Sequence, residues 1–414
     1  MPSQCLKSTA WVLLGWLSAS AAQAAVYPLP PPDNEVIGQV KVIYATKEDT
    51  LLDIARRHGL GYDEMVHANP GLDRWAPGEG TPVVLPTRYI LPDTPREGLV
   101  LNIAELRLYY YPKAGPDGER VVYTYPVSIG RMDWKTPLGV TRVTAKEVDP
   151  PWRPPASIKA EHAAQGDILP DVVPGGPDNP LGRHALRLAL PSYLIHGTNR
   201  PNGIGMRVTH GCVRMYPEDI EKVFDMVPVG TPLRMIDQPV KVGRINGHWL
   251  VEAHEPLEED NIPIKVTLEQ ATQAVIAKTG PDMPGIDQAA LEAAIEQLSG
   301  IPVSIAALPG ATPPVAAQAP PPGYSVNQTP LPTQAAPGTP LPYDEDALLY
   351  DRQRLTTPRP PVYRPAPPAP GYIPPRPDYA PPYPYPATAE PPPIAPYRPY
   401  PPASVAPTTK TNRL

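Results

Sequence analysis

Short apolar runs broken by Gly, Pro, Asn and Asp fill the middle of the chain. Residues 99–103, 107–111, 121–129, 140–144, 185–190 and 232–236 each read as a strand, and the Gly115-Pro116-Asp117-Gly118 turn marks a hairpin between two of them. Many short strands without strand-helix-strand alternation predict a mainly β unit of sandwich or barrel type. A proline-rich excursion over 149–156 and a Pro/Gly loop through 175–182 interrupt it. On the N-terminal side the pattern runs strand 42–45, helix from Leu51, helix 63–68, strand 81–85. Thr50 is placed to cap the first helix, and Leu51, Leu52, Ile54 and Ala55 form its inward face. On the C-terminal side a helix over 218–226 follows Pro217, and Asn246-Gly247 joins strands 242–245 and 248–253. Two further helices are expected, one from Thr267 with Gln270 completing a capping box and Gly280 as its stop, the other over 287–298.

Composition redraws both ends. Of 414 residues 67 are proline, and they crowd most densely after Leu308, a stretch that holds 33 of them, so residues 307–414 cannot build a core and are expected to be a disordered, Pro- and Tyr-rich tail with polyproline II character. Residues 1–24 carry Lys7, an apolar run from Trp11 to Leu17, and small residues ending Ala22-Gln23-Ala24. That is the layout of a secretory signal peptide cut after Ala24, with an apolar run well short of the ~20 residues that span a bilayer. An exported chain with no transmembrane segment after cleavage is expected. The formal charge is −6 with no basic stripe, which argues against a nucleic-acid partner.

Cleavage would remove Cys5 and leave Cys212 as the single thiol. An unpaired thiol in an exported protein points to chemistry. Cys212 lies in YLIHGTNRPNGIGMRVTHGCVRMYPE, with His210 two places before it and His196 sixteen places before it. Either imidazole is a candidate to take the thiol proton. Leu194 and Ile195 read as a strand delivering His196, and Val208 and Thr209 as a second strand ending at His210 and Gly211, with the loop 198–206 folding over the pair. Gly211 allows close approach of substrate, and backbone N–H groups around Cys212 are placed to hold an oxyanion. A metal site is not expected, because no CxxC or HExxH spacing accompanies these residues, and no organic cofactor is called for.

His196-Gly197 followed by Thr209-His210-Gly211-Cys212-Val213-Arg214 closely resembles the signature of the L,D-transpeptidase catalytic domain, YkuD type. The resemblance implies Cys212 as nucleophile, His196 as general base and acid, and the Gly197 carbonyl as the group orienting that imidazole. It also implies Thr209, His210 and Gly211 as supporting residues beside the thiol. The family often has Asn two places after the cysteine; here Arg214 stands there, as in the lipoprotein-attaching subgroup, and is expected to meet a substrate carboxylate. The phrases LPDTPREGLVLNIAELRLYYYP, TPLG and NPLG are similar to those of periplasmic enzymes of Gram-negative bacteria that attach Braun's lipoprotein or form 3-3 crosslinks. Asp49-Thr50-Leu51, Ile54-Ala55, Asn69-Pro70 and Val84-Leu85-Pro86 resemble a LysM module, with Glu48 in place of the usual Gly. Such modules bind N-acetylglucosamine-containing glycans, and the polar residues near 46–50 and 69–72 are expected to line the groove.

The expected organisation is a signal peptide (1–24), a small α+β LysM module (40–88), the β-rich catalytic domain (97–238), a small α+β extension (239–306) and the tail (307–414). The expected function is periplasmic transfer of an acyl group from a peptidoglycan tetrapeptide stem to an amine. Peptidoglycan stems and glycan chains are the partners, and an outer-membrane lipoprotein is a candidate acceptor beside diaminopimelate. The alternatives are an L,D-carboxypeptidase with water as acceptor, and an inactive protein that only clings to the wall.

Overall fold

A computed structural model describes residues 25–131, 135–164, 166–257, 265–281, 285–308 and 310–311. The leader 1–24 and nearly all of the tail 307–414 therefore lie outside the described residues. The chain opens with β1 (Ala25–Pro28), β2 (Val36–Gly38) and β3 (Lys41–Tyr44), then α1 (Leu51–Arg57), α2 (Tyr62–Ala68), β4 (Pro82–Leu85) and β5 (Arg88–Ile90). The central part holds β6 (Gly98–Asn102), β7 (Arg107–Tyr111), β8 (Val121–Pro126), β9 (Ile129–Gly130), β10 (Gly139–Val148), α3 (Ala156–Ala164), β11 (His184–Leu188), β12 (Leu194–His196), β13 (Arg207–Thr209), β14 (Val213–Arg214), α4 (Pro217–Met226) and β15 (Pro232–Ile236). It closes with β16 (Val240–Ile245), β17 (His248–Ala253), α5 (Leu268–Thr279), α6 (Gln288–Gln297) and β18 (Val303–Ala307).

The fold is mainly β. Nine strands form one sheet in the order β1-β8-β7-β6-β15-β10-β11-β12-β14. Leu108 on β7 and Ile195 on β12 stand five strands apart in that order, about 24 Å across a flat sheet. Yet both belong to one core cluster with Leu99, Leu101, Val143, Leu186, Val213 and Ile220. The sheet must therefore curl around this core, as a barrel-like reading requires.

The opposite face of β6–β8 is also covered, which is why every residue of β7 is buried. Val100, Tyr109, Tyr111 and Val122 pack there against Ile37, Ile43, Leu51, Ile54, Met65 and Leu85 of the N-terminal part. The β3-α1-α2-β4 segment is thus seated on the back of the sheet. Arg107 passes between the two layers: its Nη1 donates to Thr124 Oγ1 at 3.0 Å, its Nη2 to Glu64 Oε2 at 2.5 Å, and its guanidinium lies 4.4 Å from the Tyr89 ring centre. Paired on both sides, this buried cation is tolerated where an isolated one would not be.

Several local expectations change. The single strand over 121–129 is broken at Val127-Ser128 into β8 and β9, because Ser128 turns its N–H and C=O to Arg214 at 2.8 and 2.9 Å. β10 runs on to Val148 because β15 and β11 pair along its two sides. α3 emerges directly after the excursion read as sheet-breaking; the prolines at 154 and 155 precede Ala156, just ahead of a first turn whose N–H groups have no partner within the helix. In the N-terminal part, three of the residues from the expected groove, Asp49, Thr50 and Asn69, make contacts within the fold. Thr50 and Asp53 make a reciprocal cap, Asp53 N to Thr50 Oγ1 and Thr50 N to Asp53 Oδ2, both 3.1 Å, a device that stabilises a helix end by roughly 1 kcal/mol. Asp49 is buried against Arg57. The Asn69 amide donates to Met65 O and Val84 O and accepts from Val84 N.

Candidate active site

β12 and β14 lie side by side and parallel, with Ile195 opposite Val213 and His196 opposite Arg214. Side chains alternate across a strand. Since Ile195 and Val213 point into the core, Leu194, His196 and Arg214 share the other face. The sequence suggested that the strand before the cysteine neighbours His196; instead β13 pairs with β9 in a separate two-stranded sheet. Gly211, at φ +98°, lets the chain turn from β13 into β14. Cys212 sits on that turn, just ahead of β14.

His196 ends β12 and is buried. Its Nδ1 is 2.7 Å from the Gly197 carbonyl oxygen. A carbonyl only accepts, so Nδ1 carries the proton and, in the neutral ring, Nε2 keeps a lone pair. Burial pushes the imidazole down to about 4, the Arg214 charge adds to that, and the Gly197 and Leu181 carbonyls pull partly back. The Leu181 carbonyl is brought in by a close crossing of backbones: a Cβ on Gly182, at φ +64°, would sit 2.7 Å from Thr198 N. Asn179 anchors that crossing, fully buried, with its amide on the Pro150, Val173 and Pro174 carbonyls and its oxygen accepting from Leu181 N at 2.9 Å.

The Cys212 thiol is half-buried and donates to the Ser192 carbonyl at 3.5 Å. Burial raises it above the ordinary 9.0, while the Leu194 backbone and Arg214 pull it downward. Imidazole pushed down and thiol pushed up both favour a neutral pair at rest. Thr209 is buried and its hydroxyl donates to Cys212 O at 2.6 Å. Thr136 Oγ1 donates to Gly211 O and accepts from Gly130 N, both at 3.1 Å. The cysteine's own backbone is therefore clamped on two sides.

His210, the other candidate base, is drawn elsewhere. Its Nε2 donates to Glu161 Oε2 at 3.0 Å, and Arg131 Nη2 reaches both oxygens of the same carboxylate at 2.7 and 2.6 Å. Burial raises the Glu161 carboxyl, but these two partners outweigh it and hold it low. His210 itself is lowered, by burial first, with Arg131 and Arg214 adding to that and Glu161 opposing. Glu161, Arg131, Thr136 and Ser192 were not expected from the sequence. They stand 51, 81, 76 and 20 places before Cys212, and no local pattern ties them to it.

The loop 198–206 is not a free cover. Pro201–Gly203 form a single 3-10 turn, Ile204 and Met206 are fully buried, and Ser128 Oγ donates to Gly203 O at 2.6 Å. From the far side, α2 presents its first N–H groups to the loop: Tyr62 N to Ile204 O at 3.0 Å and Asp63 N to Gly205 O at 3.1 Å. Leu52, Tyr62 and Met206 pack together there, joined by Val66, Trp75 and Val208.

The model of the YkuD family, the L,D-transpeptidase catalytic domain, matches residues 96–242. The chain is 41% identical over 315 residues to the probable L,D-transpeptidase YbiS of Escherichia coli K12, covering 74% of this chain and 99% of that protein. It is also 41% identical over 297 residues to the probable L,D-transpeptidase YcfS of the same strain, covering 69% and 90%. To the probable L,D-transpeptidase ErfK/SrfK of Salmonella typhimurium LT2 it is 40% identical over 297 residues, covering 69% and 92%. A solved L,D-transpeptidase from Mycobacterium tuberculosis H37Rv aligns with 39% of this chain and 64% of its own at 19% identity, with a TM-score of 0.24.

Proposed function

Because the chain belongs to the L,D-transpeptidase family, an enzyme family of peptidoglycan, we propose that it works through Cys212 and His196 on the stem peptides of the wall. The observation that carries this reading is the Nδ1 contact of His196 with Gly197. It leaves the Nε2 lone pair as the proton acceptor, on the strand paired with β14, whose N-terminal end follows the only thiol among the described residues.

In the proposed cycle, Nε2 takes the thiol proton as sulfur attacks the carbonyl carbon of the stem's third residue. The C–S bond forms, the amide C–N bond to the terminal D-Ala breaks, and the imidazolium returns the proton to the departing amine. A primary amine then attacks the thioester: C–N forms, C–S breaks, the sulfur leaves as thiolate, and the amine proton passes through His196 back to sulfur. A neutral resting pair suits this order, since the proton moves only when substrate is in place. Backbone N–H groups at the Gly211–Cys212 turn are the proposed oxyanion donors. Arg214, directly opposite His196 in the strand register, is the proposed contact for a stem carboxylate.

Diaminopimelate, giving a 3-3 crosslink, and the lysine of an outer-membrane lipoprotein are the proposed acceptors. The leader pattern supports a periplasmic location, and among the described residues no helix is long and apolar enough to cross a membrane. The 40–88 segment is proposed as a LysM wall anchor. Incubating the protein with tetrapeptide muropeptides should give an intact-mass adduct at Cys212 and crosslinked dimers. Cys212→Ala should give neither, and His196→Ala should slow acylation at least about 100-fold. Parental turnover in either variant would sink the reading, and tripeptide monomers alone would make the protein a carboxypeptidase.

A further inference from the structure

The four residues Asn179-Pro180-Leu181-Gly182 close a single turn, in which Gly182 N donates to Asn179 O at 3.0 Å. Pro at the second place and Gly at the fourth suit such a turn. Its first side chain does more than begin it. Asn179 is fully buried and engages backbone with every polar atom: the amide donates to the carbonyls of Pro150 at 2.8 Å, Pro174 at 3.1 Å and Val173 at 3.3 Å, and Oδ1 accepts from Leu181 N at 2.9 Å. Pro150 and Val173-Pro174 lie on the two sides of the 149–182 excursion, which Asp149 N on Arg183 O and the Trp152–Val173 bridge also draw together. Asn179 thus ties the turn to a closed base.

On its other side the turn presses on the backbone that follows His196. A Cβ on Gly182 would lie 2.7 Å from Thr198 N and 3.0 Å from Gly197 C, and one on Gly197 would lie 3.5 Å from Leu181 O. Gly197 N is held in turn on His184 O at 3.1 Å. The Gly197–Thr198 peptide is therefore pinned, and it is the peptide whose carbonyl oxygen stands 2.7 Å from His196 Nδ1. Which nitrogen of a neutral imidazole carries the proton is set by the hydrogen bond the ring makes. Were that carbonyl free to swing away, the proton could settle on Nε2 and remove the lone pair.

We propose that Asn179 is a positioning residue for the general base: by fixing the 179–182 turn against the Gly197–Thr198 peptide, it keeps the imidazole proton on Nδ1 and the Nε2 lone pair free for the thiol. It acts through three links, from Asn179 to Leu181 and Gly182, from these to Gly197, and from Gly197 to the ring. The proposal rests on the transpeptidase reading for what that lone pair does, but the tautomer itself is readable without turnover.

The test reads the His196 tautomer by nitrogen NMR of the full chain labelled at histidine, with the signal assigned by its loss in His196→Gln, and measures kcat and KM with a tetrapeptide donor. The parent should carry the proton on Nδ1. Asn179→Ala should move a measurable share of it to Nε2 and lower kcat at least about tenfold, with donor KM within about twofold of the parent. Gly182→Ala keeps the asparagine but forces the turn off the peptide, so it should act the same way, and it carries the test should Asn179→Ala not fold. The control is Asn102→Ala. Asn102 is also fully buried, with its amide on Gln238 O at 3.0 Å and its oxygen accepting from Gln238 N at 2.9 Å, but it ends β6, four strands from β12 in the sheet order. There the denaturation midpoint should fall while tautomer and kcat stay put. A parent with the proton on Nε2 would overturn the proposal, as would an unchanged tautomer and kcat in either folded variant, or the same tautomer shift in Asn102→Ala. A parent with the expected tautomer whose Cys212 is never acylated would end the transpeptidase reading and leave the positioning role standing.

Discussion

At Cys212, burial and charge act on the thiol in opposite directions, and burial prevails. The same burial strips His196 of its tendency to take a proton at rest. A thiolate-imidazolium pair would alkylate at nearly full rate from about pH 5 upward. Here the reaction with iodoacetamide should instead climb with pH past the ordinary thiol value of 9.0, reaching roughly one per cent or less of its plateau at pH 7. A rate curve already flat between pH 6 and 8 would show an ion pair. The residues around the thiol also separate two histidines that look alike in sequence. His196 faces carbonyls that fix its tautomer, and His210 faces a carboxylate shared with Arg131. His196-Gly197 and Thr209-His210-Gly211-Cys212 were legible as a set, while the partners that assign them were not.

At the scale of elements, the joint between α2 and the loop 198–206 is the tightest feature near the site. A Cβ on Gly205 would stand 2.2 Å from Tyr62 N and 2.3 Å from Gly61 Cα, on a residue already at φ +89°. Gly205→Ala must therefore part the helix from the loop. We expect a loss of about 2–4 kcal/mol in unfolding free energy, with a matching fall in the rate of Cys212 acylation as the loop loses its backing. Gly80→Ala is the control: its φ is +76° but nothing lies within 4 Å of the added carbon, so about 1 kcal/mol and unchanged acylation are expected. Chemical denaturation and single-turnover acylation on both variants check this. The bidentate Arg56–Glu218 pair, 2.9 and 3.0 Å, ties α1 to α4 in the same region, so both helices of the N-terminal segment touch elements that flank the thiol's loop.

At the scale of the whole described structure, one buried ion network joins three stretches of chain. Lys241 on β16 contacts Glu105 Oε2 at 2.5 Å and Glu252 Oε1 at 2.7 Å. Glu105 accepts from Tyr109, Glu252 takes the Ile90 N–H, and His254 reaches Glu252 at 2.7 Å. Glu105, Glu252 and His254 are close enough together to hold a metal ion, but the ammonium of Lys241 already lies between the two carboxylates and pairs with both. Lys241→Ala would leave two buried carboxylates without that cation, so unfolding free energy should fall by about 3–5 kcal/mol. Lys241→Met combined with Glu105→Gln should recover part of it. A urea titration reads both, and an unchanged midpoint for Lys241→Ala would refute the network's role.

Sequence by itself determined what depends on neighbours along the chain. The N-cap at Thr50, the capping box at Thr267, the Asn246-Gly247 hairpin and the spacing of His196 and Cys212 all follow from contacts within a few residues or from a motif carried whole. Tertiary structure decided what depends on partners far away in the chain: the parallel pairing of β12 with β14, the burial of both faces of β7, the capture of His210 by Glu161, and the seating of α2 on the loop before the cysteine. The physical reason is that a hydrogen bond or an ion pair is indifferent to the length of chain between its two ends. Periodicity reports only which face of an element is apolar, not what comes to cover it.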